Sequence, residues 1–129
     1  PSARPLLEQA KRQNVGVLDM FAVRRAFRSE SELAEYVENL IADSVVDRDM
    51  YEQLRPFAQS IETRECATMS ELAYRFCLFE PGIDVVLSGT GSISHLRENR
   101  KTADRPSLSD ETLSRLERIF GAIDSVSGN

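Results

Sequence analysis

Apolar positions recur at helical spacing in five stretches of this chain and crowd into short runs in two more. Leu6, Leu7 and Ala10 lie on one face of a helix predicted over 6–14. That helix leads straight into Val15 to Met20, an apolar run with the length of a buried strand. Ser29 and Glu32 form a predicted capping box, followed by Leu33, Tyr36, Val37, Leu40 and Ile41 as a clear amphipathic stripe. Thr68 and Glu71 form a second box, opening a helix through Met69, Leu72, Ala73 and Phe76 to about Phe79. Pro81 and Gly82 stop it. Ile83 to Ser88 then reads as a β-branched strand, a helix runs from Ile93 to about Lys101, and Ser109 caps a last helix. That last stripe is Leu113, Leu116, Ile119, Phe120 and Ile123.

Between Ala42 and Cys66 the pattern weakens. Asp47, Arg48 and Asp49 read as a turn, and Pro56 suits the first turn of a short helix. The segment 28–66 is therefore expected to be an insertion or a long connection. No internal repeat or low-complexity stretch interrupts the chain. Two strands separated by helices imply a parallel α/β arrangement, and a parallel sheet needs cover on both faces. Two strands do not complete such a sheet.

The chain has 129 residues, 41% hydrophobic and 29% charged, enough for one compact domain with a core. Its net charge of −5 opposes a nucleic-acid interface or a polybasic membrane patch. No apolar run reaches the ~20 residues of a membrane span, and no signal-peptide pattern opens the chain. A cytoplasmic protein is the expectation. Cys66 and Cys77 are too few for a disulfide framework, and no zinc spacing is present.

The densest chemistry is strand, then Gly89, Thr90, Gly91 and Ser92, then helix. Small residues let backbone amides approach a ligand, and the helix N-terminus adds positive potential, so the loop suits an anion. A tight turn that needs glycine for positive φ and binds nothing fits the same local pattern.

The wider string from Leu72 to Asn99 resembles the C-terminal signature of the aldo-keto reductases. It contains a Leu72-Ala73-x-Arg75-Phe76 helix, the Pro81-Gly82 turn, a last strand, the small-residue loop, and a helix ending Leu96-x-Glu98-Asn99. Arg105 to Ser109 resembles the entry to the closing helix. Val15 to Met20 is similar to the preceding strand, with 6–14 as the helix before it. Met20 to Arg25 and Asp124 to Asn129 look like one bacterial branch of the family. The resemblance covers most of the chain and is weakest across 42–66.

It implies that residues 1–129 are the C-terminal part of one (β/α)8 TIM barrel, holding its last two strands with their helices. The expected count of ~250 residues for such a barrel is about twice this length. The family transfers hydride between NADPH and a carbonyl substrate. By the resemblance, Gly89, Thr90, Gly91 and Ser92 lie against the adenosine 2′-phosphate of NADP, with His95 beside that phosphate or the adenine. Glu98 and Asn99 grip the adenine edge. Phe21, Ala22 and Val23 stand near the pyrophosphate, and Arg24 is a replacement phosphate contact or an exposed ion-pairing residue. Gly89 replaces a frequent Lys, and His95 a frequent Arg. Both changes remove fixed charge that a 2′-phosphate would use, so NADP and NAD both stay open, with Arg97 or Arg100 as compensating charges.

The family's catalytic Tyr, Lys, Asp and His come from the other half of the barrel. Here Lys11 and Lys101 fall on predicted helices, and the single histidine, His95, is in the cofactor loop. Tyr36 and Tyr74 sit on apolar stripes as core residues, and Tyr51 has no basic neighbour. No catalytic residue is assigned. Cys77 reads as a buried structural thiol, and Asp47 with Asp49 as a solvated pair.

The leading expectation is the adenosine-binding, C-terminal portion of an NAD(P)-dependent aldo-keto reductase. Its partners would be the nicotinamide dinucleotide, a small carbonyl substrate, and the rest of the barrel or a second chain. A non-catalytic half-barrel that binds a nucleotide or a subunit is the alternative. A helical interaction protein with a structural glycine turn is a third.

Overall fold

A computed structural model describes residues 3–24, 30–49, 51–52 and 65–121. Their elements are α1 (Arg4–Arg12), β1 (Leu18–Asp19), α2 (Glu30–Ala42), α3 (Met69–Leu78), β2 (Val85–Val86), α4 (Ile93–Ala103) and α5 (Asp110–Phe120). The architecture is mixed α/β and helix-rich, built on a small parallel sheet.

Local chemistry sets most boundaries. Pro5 lies in the first turn of α1, where its missing N–H costs nothing, and Lys11 and Arg12 in the last turn suit the helix dipole. Asn14 then takes φ 55°, the left-handed conformation that ends helices. Asn14 N donates to Lys11 O at 3.2 Å and Val15 N to Ala10 O at 2.9 Å, a Schellman closure that turns α1 directly toward β1. α2 ends the same way at Ser44, with φ 58°. Thr68 Oγ1 accepts from Glu71 N at 3.0 Å at the start of α3. In return, Glu71 Oε2 accepts from Ala67 N at 3.0 Å, one residue before the expected donor. Ser109 caps α5, accepting from Thr112 N at 3.2 Å.

The two strands pair in parallel, Leu18 against Val85 and Asp19 against Val86. Regular pairing is shorter than the apolar runs 15–20 and 83–88, yet the chains stay aligned beyond it. Val85 N donates to Val17 O at 3.2 Å and Leu87 N to Asp19 O at 2.9 Å. Asp84 Oδ2 accepts from Val17 N at 2.7 Å and fixes the entry to the ladder. The crossover between the strands carries α2 and α3, as parallel pairing requires.

The core joins Leu33 and Val37 of α2 to Cys66, Met69, Leu72 and Leu108, with Phe76, Leu113, Leu116 and Phe120 packed around them. Part of the segment 28–66 is thus core-forming helix. The turn expected at Asp47, Arg48 and Asp49 is helical at Arg48 and Asp49, with Tyr51 N donating to Asp47 O at 3.0 Å. Arg48 pairs with Glu38 at 2.8 Å. The expected cap at Ser29, the short helix at Pro56, Ile123 and the 124–129 ending lie outside the described residues.

Arg75 is the polar centre of the packing. Its Nε donates to Pro106 O at 3.0 Å, and its terminal nitrogens donate to Glu65 O at 2.7 Å and Ser107 O at 3.1 Å. It also meets Glu71 Oε1 at 3.3 Å. One planar fork therefore ties α3 to two loops distant in sequence. The far side of the sheet is uncovered by described residues, with Leu18, Met20, Val85 and Leu87 all exposed.

Candidate functional site

Parallel pairing brings the ends of β1 and β2 to one edge of the sheet. Phe21 follows β1 there, and Ser88 leads into Gly89 just beyond β2. Ligands in α/β proteins bind outside the carboxyl ends of the strands, where successive loops converge. Two segments 67 residues apart, singled out separately in the sequence, are thus brought to the same end of the fold by the ladder.

Gly89, Thr90 and Gly91 are exposed, and none of their three backbone N–H groups donates to a described residue. Thr90 Oγ1 accepts from Ser92 N at 3.1 Å. Ser92 is the N-cap of α4, accepting from His95 N at 3.4 Å and sharing a 2.7 Å hydroxyl contact with Ser94. The loop therefore leaves free amides beside the positive end of a helix, an arrangement suited to phosphate oxygens.

Among the described residues, neither positive φ nor close packing accounts for Gly89 and Gly91. Gly82 is the positive-φ glycine of the described residues, at 96°. Gly89 and Gly91 have ordinary φ, and a Cβ added to either meets no atom within 4 Å. Positive φ, the reason a bare turn would need glycine, does not apply here.

His95, Glu98 and Asn99 fall on one face of α4 by their i, i+3, i+4 spacing. His95 and Glu98 are exposed, and Asn99 is half-buried. Asn99 Nδ2 donates to Ser88 Oγ at 2.7 Å, so its amide is engaged with the loop as well as presented at its edge. Arg100 pairs with Asp104 one turn on, away from the loop, whereas Arg97 is exposed on the same helix. Phe21 has φ 69°, a costly conformation for an aromatic residue that often marks functional positions. Its exposed ring lies under the Arg24 guanidinium, 5.3 Å from the centroid. Val23 is half-buried beside them.

Tyr74 was expected in the core, but its phenol reaches the loop end and donates to Ser88 Oγ at 3.1 Å. Its flanking pattern of Leu72, Ala73 and Phe76 conceals this, because only its polar tip leaves the apolar face. Lys11 and Lys101 lie exposed on α1 and α4.

The thiols do not suit nucleophilic chemistry. Burial pushes Cys66 up to about 11. Burial, with the Asp19 carboxylate adding to it, pushes Cys77 up to about 12. Among the described residues no group of three His, Cys, Asp or Glu side chains is placed to hold a metal ion. No helix among them is long and apolar enough to cross a membrane.

These features define an α/β unit with an anion-suited loop at the carboxyl edge of a parallel sheet. In comparisons with protein-family models, curated proteins and solved structures, no match to this chain was found.

Proposed function

We propose that this chain is the C-terminal, adenosine-binding portion of an NAD(P)-dependent aldo-keto reductase, with the TIM-barrel fold completed by further strands. One observation carries the reading: the parallel ladder sets Phe21 to Arg24 and Gly89 to Ser92 at the same carboxyl edge. The bare, ordinary-φ glycines support an approaching ligand, and the exposed apolar sheet face supports a missing layer. In this reading the amides of Gly89 to Gly91 and the start of α4 receive phosphate. His95, Glu98 and Asn99 face the adenosine, and Phe21, Val23 and Arg24 lie toward the pyrophosphate.

The chain's own lysines stand on helices, so proton transfer to a carbonyl substrate rests on residues elsewhere in the barrel. Binding without turnover, as a nucleotide-binding or subunit-interaction module, is the second reading, and the same placement of Lys11 and Lys101 favours it for the chain alone.

Titration with NADPH, NADH, 2′,5′-ADP and 5′-AMP tests the site, read by calorimetry because the chain has no Trp. Binding of 2′,5′-ADP is expected. Failure of both adenosine ligands at millimolar concentration in the assembled protein overturns the assignment. His95→Arg is expected to favour NADPH over NADH by about 1 kcal/mol, the scale of one charge-assisted contact.

A further inference from the structure

The strand side of the glycine loop and the helix that follows it are both bonded to one phenol. Tyr74 on α3 donates to Ser88 Oγ at 3.1 Å, immediately before Gly89. Asn99, two turns into α4, donates Nδ2 to the same Ser88 oxygen at 2.7 Å and to the Tyr74 oxygen at 3.5 Å. Three elements therefore meet at one polar contact: α3, the end of β2 and α4. Among the described residues, little else holds the loop between Ser88 and α4. Its restraints are the Thr90 hydroxyl on Ser92 N and the Ser92 cap. Glycine loses more backbone freedom than any other residue when it is ordered. A loop that presents amides in fixed positions needs that order supplied by neighbours whose own rotamers are locked. Tyr74 suits this role, because it is a half-buried residue of α3 whose hydroxyl reaches Ser88.

We propose that Tyr74 and Ser88 are positioning residues that, together with Asn99, hold the Gly89–Ser92 backbone in the arrangement that receives a ligand phosphate. The ligand half of this statement rests on the nucleotide reading above; the ordering half does not. Ser88 and Tyr74 touch the loop through hydroxyls, so each is tested by removing one oxygen.

The experiment uses the 15N-labelled chain within the assembled protein, as wild type and with Ser88→Ala, Tyr74→Phe and Ser88→Thr. Backbone order parameters for Gly89–Ser92 are expected to fall from about 0.85 toward 0.6 in the first two variants, while those of α3 hold. Affinity for 2′,5′-ADP is expected to drop about tenfold, the scale of one well-made hydrogen bond. Ser88→Thr, which keeps the hydroxyl, is expected to restore both. A loss of order spread evenly over α3 and α4 would mean a merely structural role and overturn the proposal. Unchanged loop order in both hydroxyl-deleted variants would also overturn it, whatever the nucleotide does. A loosened loop with unchanged 2′,5′-ADP affinity would overturn the positioning role. An assembled wild-type protein with an ordered loop that takes up neither 2′,5′-ADP nor 5′-AMP would overturn the nucleotide reading, while the order parameters still decide the ordering half.

Discussion

Leu18 and Val85 stand opposite each other across the parallel ladder, and each leaves about half of its surface exposed, 53% and 49%. Met20 and Leu87 extend this apolar strip one step toward the candidate site. Parallel sheets are normally covered on both faces, and open edges add unpaired donors and acceptors. The chain by itself is therefore expected to self-associate at micromolar concentration. Leu18→Lys with Val85→Lys should suppress that in sedimentation experiments while leaving the helical circular dichroism in place. A monodisperse wild-type monomer would instead favour a self-sufficient helical protein with a structural glycine turn.

Gly82 and Gly91 separate conformational need from ligand access. A Cβ on Gly82 would come 2.9 Å from Leu7 Cβ, and its φ of 96° disfavours any side chain. Gly82→Ala is expected to destabilise by more than ~1 kcal/mol in urea unfolding. Gly91→Ala meets open space, so its stability should stay within about 0.5 kcal/mol of wild type, the range of an ordinary surface change. If the loop receives phosphate, Gly91→Val should nevertheless weaken 2′,5′-ADP. Equal affinity in the two proteins would leave the loop as a plain connection.

Arg75 is almost fully buried, and its guanidinium satisfies three carbonyl oxygens from two loops. Arg75→Met keeps the apolar stem but orphans those acceptors and the Glu71 carboxylate. The expected cost is about 3–5 kcal/mol, the range for removing one partner of a buried charge network. Arg75→Lys keeps the charge without the planar fork and should fall between the two proteins in urea midpoint. A cost below ~1 kcal/mol would show that the loops are held by their apolar contacts instead.

Glu65 supplies a pH dependence. Burial alone would raise its pKa, but hydrogen bonds donated by Thr112 and by the Ser109 amide and hydroxyl, with the Arg75 charge, hold it below the ordinary carboxylate value. A lowered native pKa contributes stability that is present above the unfolded value, near ~4.3, and is lost as pH falls through the native value. Thermal unfolding from about pH 6 to pH 3 should therefore show wild type losing stability more steeply than Glu65→Gln. Parallel curves would show that these contacts do not distinguish the charged carboxylate.

The helices were legible because each carries its own signal: the Leu33, Val37 and Leu40 stripe, the Thr68 and Ser109 caps, and the break at Gly82. Asn14 as a helix terminator was less so, since its left-handed closure shows only in the backbone. Of the candidate site, the glycine loop could be picked out from residue types alone, because small residues between a strand and a helix form a local pattern.

Residue order by itself determined an acidic α/β chain, five helical stripes, two apolar runs and the loop between Ser88 and α4. It left two meanings for that loop. Only the tertiary structure brought Phe21 and Gly89 to one edge, carried the Tyr74 phenol to Ser88, and showed that neither positive φ nor crowding accounts for Gly89 and Gly91. Periodicity records which face of an element is apolar, whereas strand register and a single polar tip depend on partners far away in sequence. Those partners meet only when the ladder and the helices pack.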